Sequence, residues 1–130
     1  MTRNGIASGG NWVVDYVKRL DCLPSVGMLA TILSEELSTG GAAANVLGDL
    51  AMLKAPFPLV GLGVLGNDDG GRHMREKFTR LGVDISLVAT TDKVGTAHTD
   101  VMTDSRTGDR AFFHYRGANG IFGPEHIPFE

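Results

Sequence analysis

Apolar residues recur at helical spacing between residues 43 and 53, directly after a pair of glycines. Pro56 and Pro58 end this predicted helix. The short apolar run at 59–64 that follows is typical of a buried parallel strand. The inward face of the helix carries Ala43, Val46, Leu47, Leu50 and Leu53.

Strand and helix patterns also alternate on either side of this segment. A first strand is predicted near residues 5–9 and continues into 12–17, where β-branched and aromatic residues favour an extended path. A second helix takes Asn67 or Asp68 as its N-cap and stops at Gly82. Its inward residues are Met74, Phe78 and Leu81. The order strand, helix, strand, helix predicts an α/β fold, in which helices pack on the faces of a parallel sheet.

Residues 94–116 follow a strand pattern without a helix between the strands. Polar and apolar types alternate over 94–103 and 110–116, on either side of a turn at 104–109. This pattern predicts an antiparallel hairpin with one solvated face. The hairpin is either an edge of the sheet or a lid over a ligand.

Composition excludes several classes of function. The chain has 130 residues, of which 42% are hydrophobic and 21% charged, so it is one globular unit or a piece of one. A net charge of -3 offers no basic stripe for nucleic acid, and no apolar run reaches the roughly 20 residues of a membrane span. The lone Cys22 cannot form an internal disulfide, and residues 1–4 do not lead into a signal-peptide core. We therefore expect a cytoplasmic protein with neither a nucleic acid nor a membrane as its partner.

Two features have the chemistry of carbohydrate binding. The sequence Gly40-Gly41-Ala42-Ala43-Ala44-Asn45 opens the first helix; its glycines allow close backbone approach, and Asn45 can donate to and accept from vicinal hydroxyls. Asp15 is predicted to end an apolar strand segment, where parallel α/β sheets contact their ligands. Its carboxylate can accept hydrogen bonds from two sugar hydroxyls. A capped glycine turn and a solvated carboxylate are the alternative interpretations.

Three further motifs follow in order: Gly-Val-Leu-Gly-Asn-Asp-Asp-Gly at 63–70, Leu-Gly-Val-Asp at 81–84 and Arg-Gly-Ala-Asn at 116–119. With these motifs the sequence resembles, over nearly its whole length, the front portion of a carbohydrate kinase of the ribokinase (PfkB) family. Leu47, Lys54 and a longer spacer before Gly66 depart from the family pattern and indicate a divergent subgroup.

The resemblance implies an ATP-dependent sugar or nucleoside kinase with a ribokinase-like fold. Residues 1–130 would supply acceptor binding and a β lid near 94–116, and the lid implies a homodimer. The sugar contacts would be Asp15, Gly40, Gly41 and Asn45, with Asn11, His98 and Arg116 as further candidates. A non-catalytic carbohydrate-binding or dimerisation module built from the same half-fold is the alternative.

In that family the catalytic aspartate belongs to a later Gly-Ala-Gly-Asp-like motif. Neither Gly48-Asp49 nor Gly108-Asp109 matches it. We therefore expect the catalytic residue, and most of the site for ATP and Mg²⁺, in a C-terminal part that these residues do not include. The chain is interpreted as a truncated product, a fragment or a domain.

A competing motif occurs at residues 61–66, where Gly-Leu-Gly-Val-Leu-Gly satisfies the pattern of a dinucleotide-binding turn. Asn67, Asp68 and Asp69 follow it, so two carboxylates would face a pyrophosphate at the helix start. This placement argues against a dinucleotide site.

The four histidines show no metal-ligand spacing. They are His73, His98, His114 and His126. If the hairpin is a lid, His98, His114 and Arg116 could face the sugar or a phosphate on it.

Overall fold

The computed structural model describes residues 4–129, which form seven strands, two α-helices and two short 3₁₀ helices. Residues 1–3 and residue 130 lie outside this range. The expectation that the N-terminus does not lead into a signal-peptide core falls mainly on those first residues. No helix between residues 4 and 129 is long and apolar enough to cross a bilayer. In chain order the elements are β1 (Ile6–Gly9), β2 (Val13–Leu20), β3 (Ile32–Gly40), α1 (Ala42–Met52), β4 (Leu59–Gly66), α2 (Asp69–Arg80), β5 (Asp84–Thr91), β6 (His98–Asp104), β7 (Arg110–Tyr115) and 3₁₀ helices at Gly117–Gly120 and Pro124–His126.

The predicted parallel sheet has three strands in the order β1-β4-β5. β4 is buried along almost all of its length, which explains why its sequence is a continuous apolar run. Both helices pack on this sheet through one core, to which α1 contributes Leu47 and α2 contributes Met74 and Phe78. The α/β prediction is confirmed.

A second sheet has four strands in the order β3-β2-β6-β7. The predicted hairpin forms its β6-β7 edge, although β6 begins at His98 and not at Val94. β6 lies parallel to β2, while β3 pairs with β2 in the antiparallel direction. The hairpin therefore belongs to the four-stranded sheet, together with β2 and β3, and does not form an edge of the parallel sheet.

Helix α2 begins and ends as its sequence predicts. The Asp68 carboxylate accepts a hydrogen bond from the Gly71 amide at the N-cap. Lys77 and Arg80 occupy the last turn, where cations complement the helix dipole. Gly82 follows with a φ of 76°, a conformation that favours glycine and ends the helix.

Three predictions are wrong in detail. The expected continuous strand over 5–17 is two strands in different sheets, because Gly10 adopts a φ of 131° and turns the chain between them. Asp15 is consequently the third residue of β2 and does not end a strand. Val46 of α1 is 46% exposed, and Leu53, which follows the last residue of α1, is 78% exposed. The buried face of the helix is therefore narrower than predicted and centres on Ala43, Ala44 and Leu47.

The buried Trp12 explains the glycines of the competing dinucleotide motif. A methyl group at Gly61 would lie 2.7 Å from the Trp12 ring, and one at Gly63 would lie 2.4 Å from it. The indole Nε1 also donates to the Leu62 carbonyl at 2.9 Å. The glycine run lies within β4 and not in a strand-to-helix turn. These glycines make room for tryptophan, and the dinucleotide interpretation is not supported by their position.

Candidate functional site

Asp15 lies in the middle of the four-stranded sheet, on a strand flanked by β3 and β6. Its carboxylate rests directly over Gly40, the last residue of β3. A methyl group at Gly40 would lie 2.5 Å from Oδ2 of Asp15, closer than carbon and oxygen approach without bonding. The carboxylate can hold this position only because residue 40 has no side chain.

Gly41 continues the same surface from the strand into helix α1. Its φ of 93° favours glycine, and a methyl group there would lie 2.3 Å from the carbonyl oxygen of Asn11. The amide of Asn45 donates to the Gly41 carbonyl at 2.9 Å, and the exposed Asn45 residue lies one turn into the helix. The structure thus places Asp15 against Gly40 and the backbone of Asn11 against Gly41, with Asn45 one turn along α1.

A row of polar side chains crosses the sheet beside this group. Asp15 is paired with Thr99 of β6, and Thr99 is paired with His114 of β7. The Thr99 hydroxyl and His114 Nδ1 are 2.9 Å apart. Burial raises the pKa of Asp15, while the Thr99 hydroxyl and the His114 ring oppose that rise by favouring the ionised form. Thr99 was not among the residues that the sequence singled out.

His98 lies on the opposite face of the sheet from Asp15, because neighbouring residues of a strand point to opposite sides. Its ring is 5.9 Å from Tyr16 and 5.1 Å from Tyr115, and Nδ1 lies 3.3 Å from the Thr96 carbonyl oxygen. The structure therefore does not bring His98 together with the other predicted contacts.

Arg116 lies at the end of the hairpin, immediately before the first 3₁₀ helix. It is exposed, and its side chain runs beside Gly120. Three residues later, the buried Asn119 accepts a hydrogen bond from the Trp12 amide through Oδ1 at 3.1 Å. Asn119 thereby fixes the backbone next to Asn11. Its place in the Arg-Gly-Ala-Asn motif was the signal that could have identified this role.

The N-terminus of α2 does not fit the phosphates of ATP. Asp68 occupies it and accepts from the Thr96 hydroxyl at 2.6 Å and from the amides of Thr96 and Gly71 at 2.7 and 2.8 Å. Burial raises the pKa of Asp68, but these hydrogen bonds outweigh burial and lower it overall. Between residues 4 and 129 no group of three His, Cys, Asp or Glu side chains could hold a metal ion. Asp68 therefore takes the place at this helix start that a phosphate of ATP would need.

The chain is similar in sequence to a known family and to individual members of it. Residues 11–129 match the model of the pfkB family carbohydrate kinases. The ATP-dependent ribose-1-phosphate kinase of Halopiger xanaduensis is 36% identical over 117 residues, which are 90% of this chain and 38% of that protein. The aminoimidazole riboside kinase of Salmonella typhimurium is 32% identical over 91 residues, or 68% of this chain and 28% of that protein.

Solved structures agree in fold. The fructokinase of Xylella fastidiosa superposes with a TM-score of 0.75 at 29% identity, covering 97% of this chain and 38% of that one. The ribokinase of Arabidopsis thaliana, complexed with ribose and ATP, gives a TM-score of 0.78 at 24% identity over 90% of this chain and 37% of that one. The fold is therefore the N-terminal part of the ribokinase-like α/β fold. The chain belongs to the pfkB family of carbohydrate kinases, and its matched region spans 28% to 38% of the length of these relatives.

Proposed function

We propose that this chain supplies the acceptor-binding part of an ATP-dependent kinase that phosphorylates a hydroxyl of a sugar or nucleoside. The observation that carries the proposal is the Asp15 carboxylate held over Gly40, beside Gly41 and the Asn11 backbone. An ionised carboxylate accepts charge-assisted hydrogen bonds from hydroxyls. Asn45 adds an amide that can donate and accept one turn into the helix.

The acceptor class follows from this chemistry together with the relatives. The site offers one carboxylate and one amide, which suit adjacent hydroxyls of a furanose ring. One relative is a ribose-1-phosphate kinase, another is an aminoimidazole riboside kinase, and a related ribokinase structure contains ribose and ATP. We therefore place pentoses, their phosphates and ribosides first among the acceptors.

ATP and the catalytic base are proposed to bind and act outside these residues. Phosphoryl transfer requires a positioned base and groups that stabilise the charge on the transferring phosphoryl group. Asp49 lies inside α1, Asp109 lies in the hairpin turn, and the α2 N-terminus is occupied by Asp68. The 130-residue chain alone should release no ADP from ATP, with or without sugar.

A ligand panel tests acceptor binding. Thermal unfolding of the chain is followed with D-ribose, ribose 1-phosphate, D-fructose, adenosine and aminoimidazole riboside. A ligand at 100 times its dissociation constant stabilises the folded chain by about 2.7 kcal/mol. We expect stabilisation by at least one pentose compound and its loss in Asp15→Asn. Equal stabilisation of both proteins, or none by any member of the panel, contradicts the proposal.

A chimaera separates the kinase from a non-catalytic binding module. This chain replaces the matched 38% of the Halopiger xanaduensis kinase. We expect acceptor-dependent ADP release that Asp15→Asn abolishes. A chimaera that folds and binds the acceptor but releases no ADP favours the module.

We also propose that the chain forms a homodimer through the face of the four-stranded sheet that lies opposite Asp15. Apolar side chains there surround an open cavity of about 530 Å³, which is lined by residues including Leu20, Ile32, Met102 and Phe113. Phe113 is 61% exposed, and the adjoining loop exposes Met28 and Leu29. Exposed apolar patches of this kind mark interaction surfaces.

Sedimentation analysis tests the dimer. Phe113→Lys should yield monomers, whereas Met52→Lys, which changes an apolar side chain 74% exposed on α1, should leave the sedimentation coefficient unchanged. A wild-type chain that sediments as a monomer at all concentrations removes this proposal.

A further inference from the structure

The row Asp15, Thr99 and His114 links the proposed acceptor carboxylate to the outer strand of the sheet. The register pairs Asp15 with Thr99 and Thr99 with His114, so all three side chains lie on one face. Thr99 is only 9% exposed, which restricts its hydroxyl to partners within the sheet. His114 is exposed, so its ring leaves one nitrogen accessible.

The direction of hydrogen bonding along the row follows from the charge of Asp15. A carboxylate only accepts, so a Thr99 hydroxyl that serves Asp15 must donate toward it. The Thr99 oxygen can then accept from His114 Nδ1, which lies 2.9 Å away. This direction requires the His114 tautomer that carries its proton on Nδ1, which would hold the Thr99 hydroxyl toward Asp15.

We propose that Thr99 and His114 are positioning residues for the acceptor, which hold the Asp15 carboxylate in the orientation that receives a sugar hydroxyl. This inference rests on the proposed role of Asp15 in acceptor binding. It also distinguishes the two histidines that were both expected to face the sugar, because His114 shares the face of Asp15 and His98 does not.

Few other charges act on Asp15 from the elements around it. On β3 the paired residue is Ser38, and the next acidic side chain on that face, Glu36, is paired with Val17. On β2 itself, Arg19 is the charged residue of the same face. The start of α1 brings Gly41 and alanines, which carry no charge. Thr99 and His114 are therefore the polar side chains that set the environment of Asp15 on the β6 and β7 side.

The first experiment needs no ligand. Carbon-13 NMR follows the titration of the Asp15 carboxyl in the wild-type chain and in Thr99→Val, Thr99→Ser and His114→Gln. Thr99→Val removes the hydroxyl at nearly constant volume, so the carboxyl should titrate at higher pH than in the wild type. His114→Gln, an exposed substitution, should shift the titration in the same direction. Thr99→Ser restores the hydroxyl and should titrate like the wild type.

The second experiment measures binding of D-ribose and ribose 1-phosphate as a function of pH. Thr99→Val should raise the dissociation constant by roughly 10-fold to 150-fold, as expected for one lost hydrogen bond to a charged group, and Thr99→Ser should not. The acid limb of the affinity profile should move to higher pH in Thr99→Val and His114→Gln.

The two readouts separate this inference from the proposed function. If no compound of the ligand panel binds the wild-type chain, the acceptor proposal fails, while the carboxyl titration still tests the row. An Asp15 carboxyl that titrates at one pH in all four proteins overturns the positioning role. If Thr99→Val does not fold, the titration of the Asp15 carboxyl in His114→Gln decides whether the row positions Asp15. The His114 side chain lies at the surface, so this substitution should not disturb the fold.

Discussion

Replacing Gly40 by alanine tests the contact at the centre of the proposed acceptor site. The new methyl group would lie 2.5 Å from Oδ2 of Asp15, whereas ordinary contacts begin near 3.4 Å. The carboxylate must therefore retreat by about 0.9 Å or rotate away. Asp15 is only partly buried, so its side chain can move without disrupting the core. We therefore expect Gly40→Ala to weaken ligand binding without lowering the free energy of unfolding.

The expected loss in affinity is large. Losing a hydrogen bond between ligand and carboxylate costs about 1.5 to 3 kcal/mol, so we expect a 10-fold to 100-fold rise in the dissociation constant. Calorimetric titration with whichever pentose compound stabilises the wild-type chain measures it, and urea unfolding checks the fold. Gly48→Ala is the control, because its methyl group would meet Phe78 at an ordinary 3.8 Å. A Gly40→Ala chain that binds as tightly as the wild type refutes the role of this contact.

Three further predictions concern stability. Gly48→Ala should raise the free energy of unfolding by about 0.5 to 1 kcal/mol in urea, because alanine loses less backbone entropy in a helix; a decrease would show that Phe78 cannot accept the methyl group. Because burial raises the pKa of Asp15, the stability linked to its proton is present at low pH and is lost as pH rises through the raised value. Asp15→Asn should therefore melt above the wild type at pH 7 but not at pH 3, and the reverse order would contradict that sign. For Asp68 the pKa is lowered, so its contribution is present above about pH 4 and is lost as pH falls. Asp68→Ala should lose about 1 kcal/mol at pH 7 through its N-cap, and the difference should narrow below pH 4; a difference independent of pH would contradict the lowered pKa of Asp68.

The sequence predicted elements whose signals are local. Helix α2 can be predicted because all of its signals lie within one segment. These signals are its N-cap, the inward residues Met74 and Phe78, and the stop at Gly82. The apolar run of β4 was recoverable for the same reason. The hairpin was recoverable because two alternating segments flank one turn.

The membership of strands in sheets could not be predicted from local pattern. β2 pairs in parallel with β6, which lies more than 80 residues later in the chain, and nothing near Asp15 encodes that pairing. β3 is exposed along most of its length, so it lacks the alternation that indicates a half-buried strand. The break at Gly10 depends on a positive φ, which a glycine permits but does not require.

The same limit applies to the candidate site. Gly40, Gly41 and Asn45 lie within one six-residue motif, so the sequence sufficed to group them. Whether His98 or His114 shares the face of Asp15 depends on the register of β2, β6 and β7, which a shift of one residue would reverse. Only the folded arrangement distinguishes them.

The most direct test of acceptor binding is a map of the bound sugar on the chain. Proton–nitrogen NMR spectra are recorded while ribose 1-phosphate and D-ribose are titrated into the wild-type chain and into Asp15→Asn. We expect saturable shifts centred on the amides of Gly40, Gly41 and Asn45, and their loss in the variant. Shifts centred elsewhere, such as on the cavity beside Phe113, or shifts at Gly40 that persist in Asp15→Asn, would contradict it.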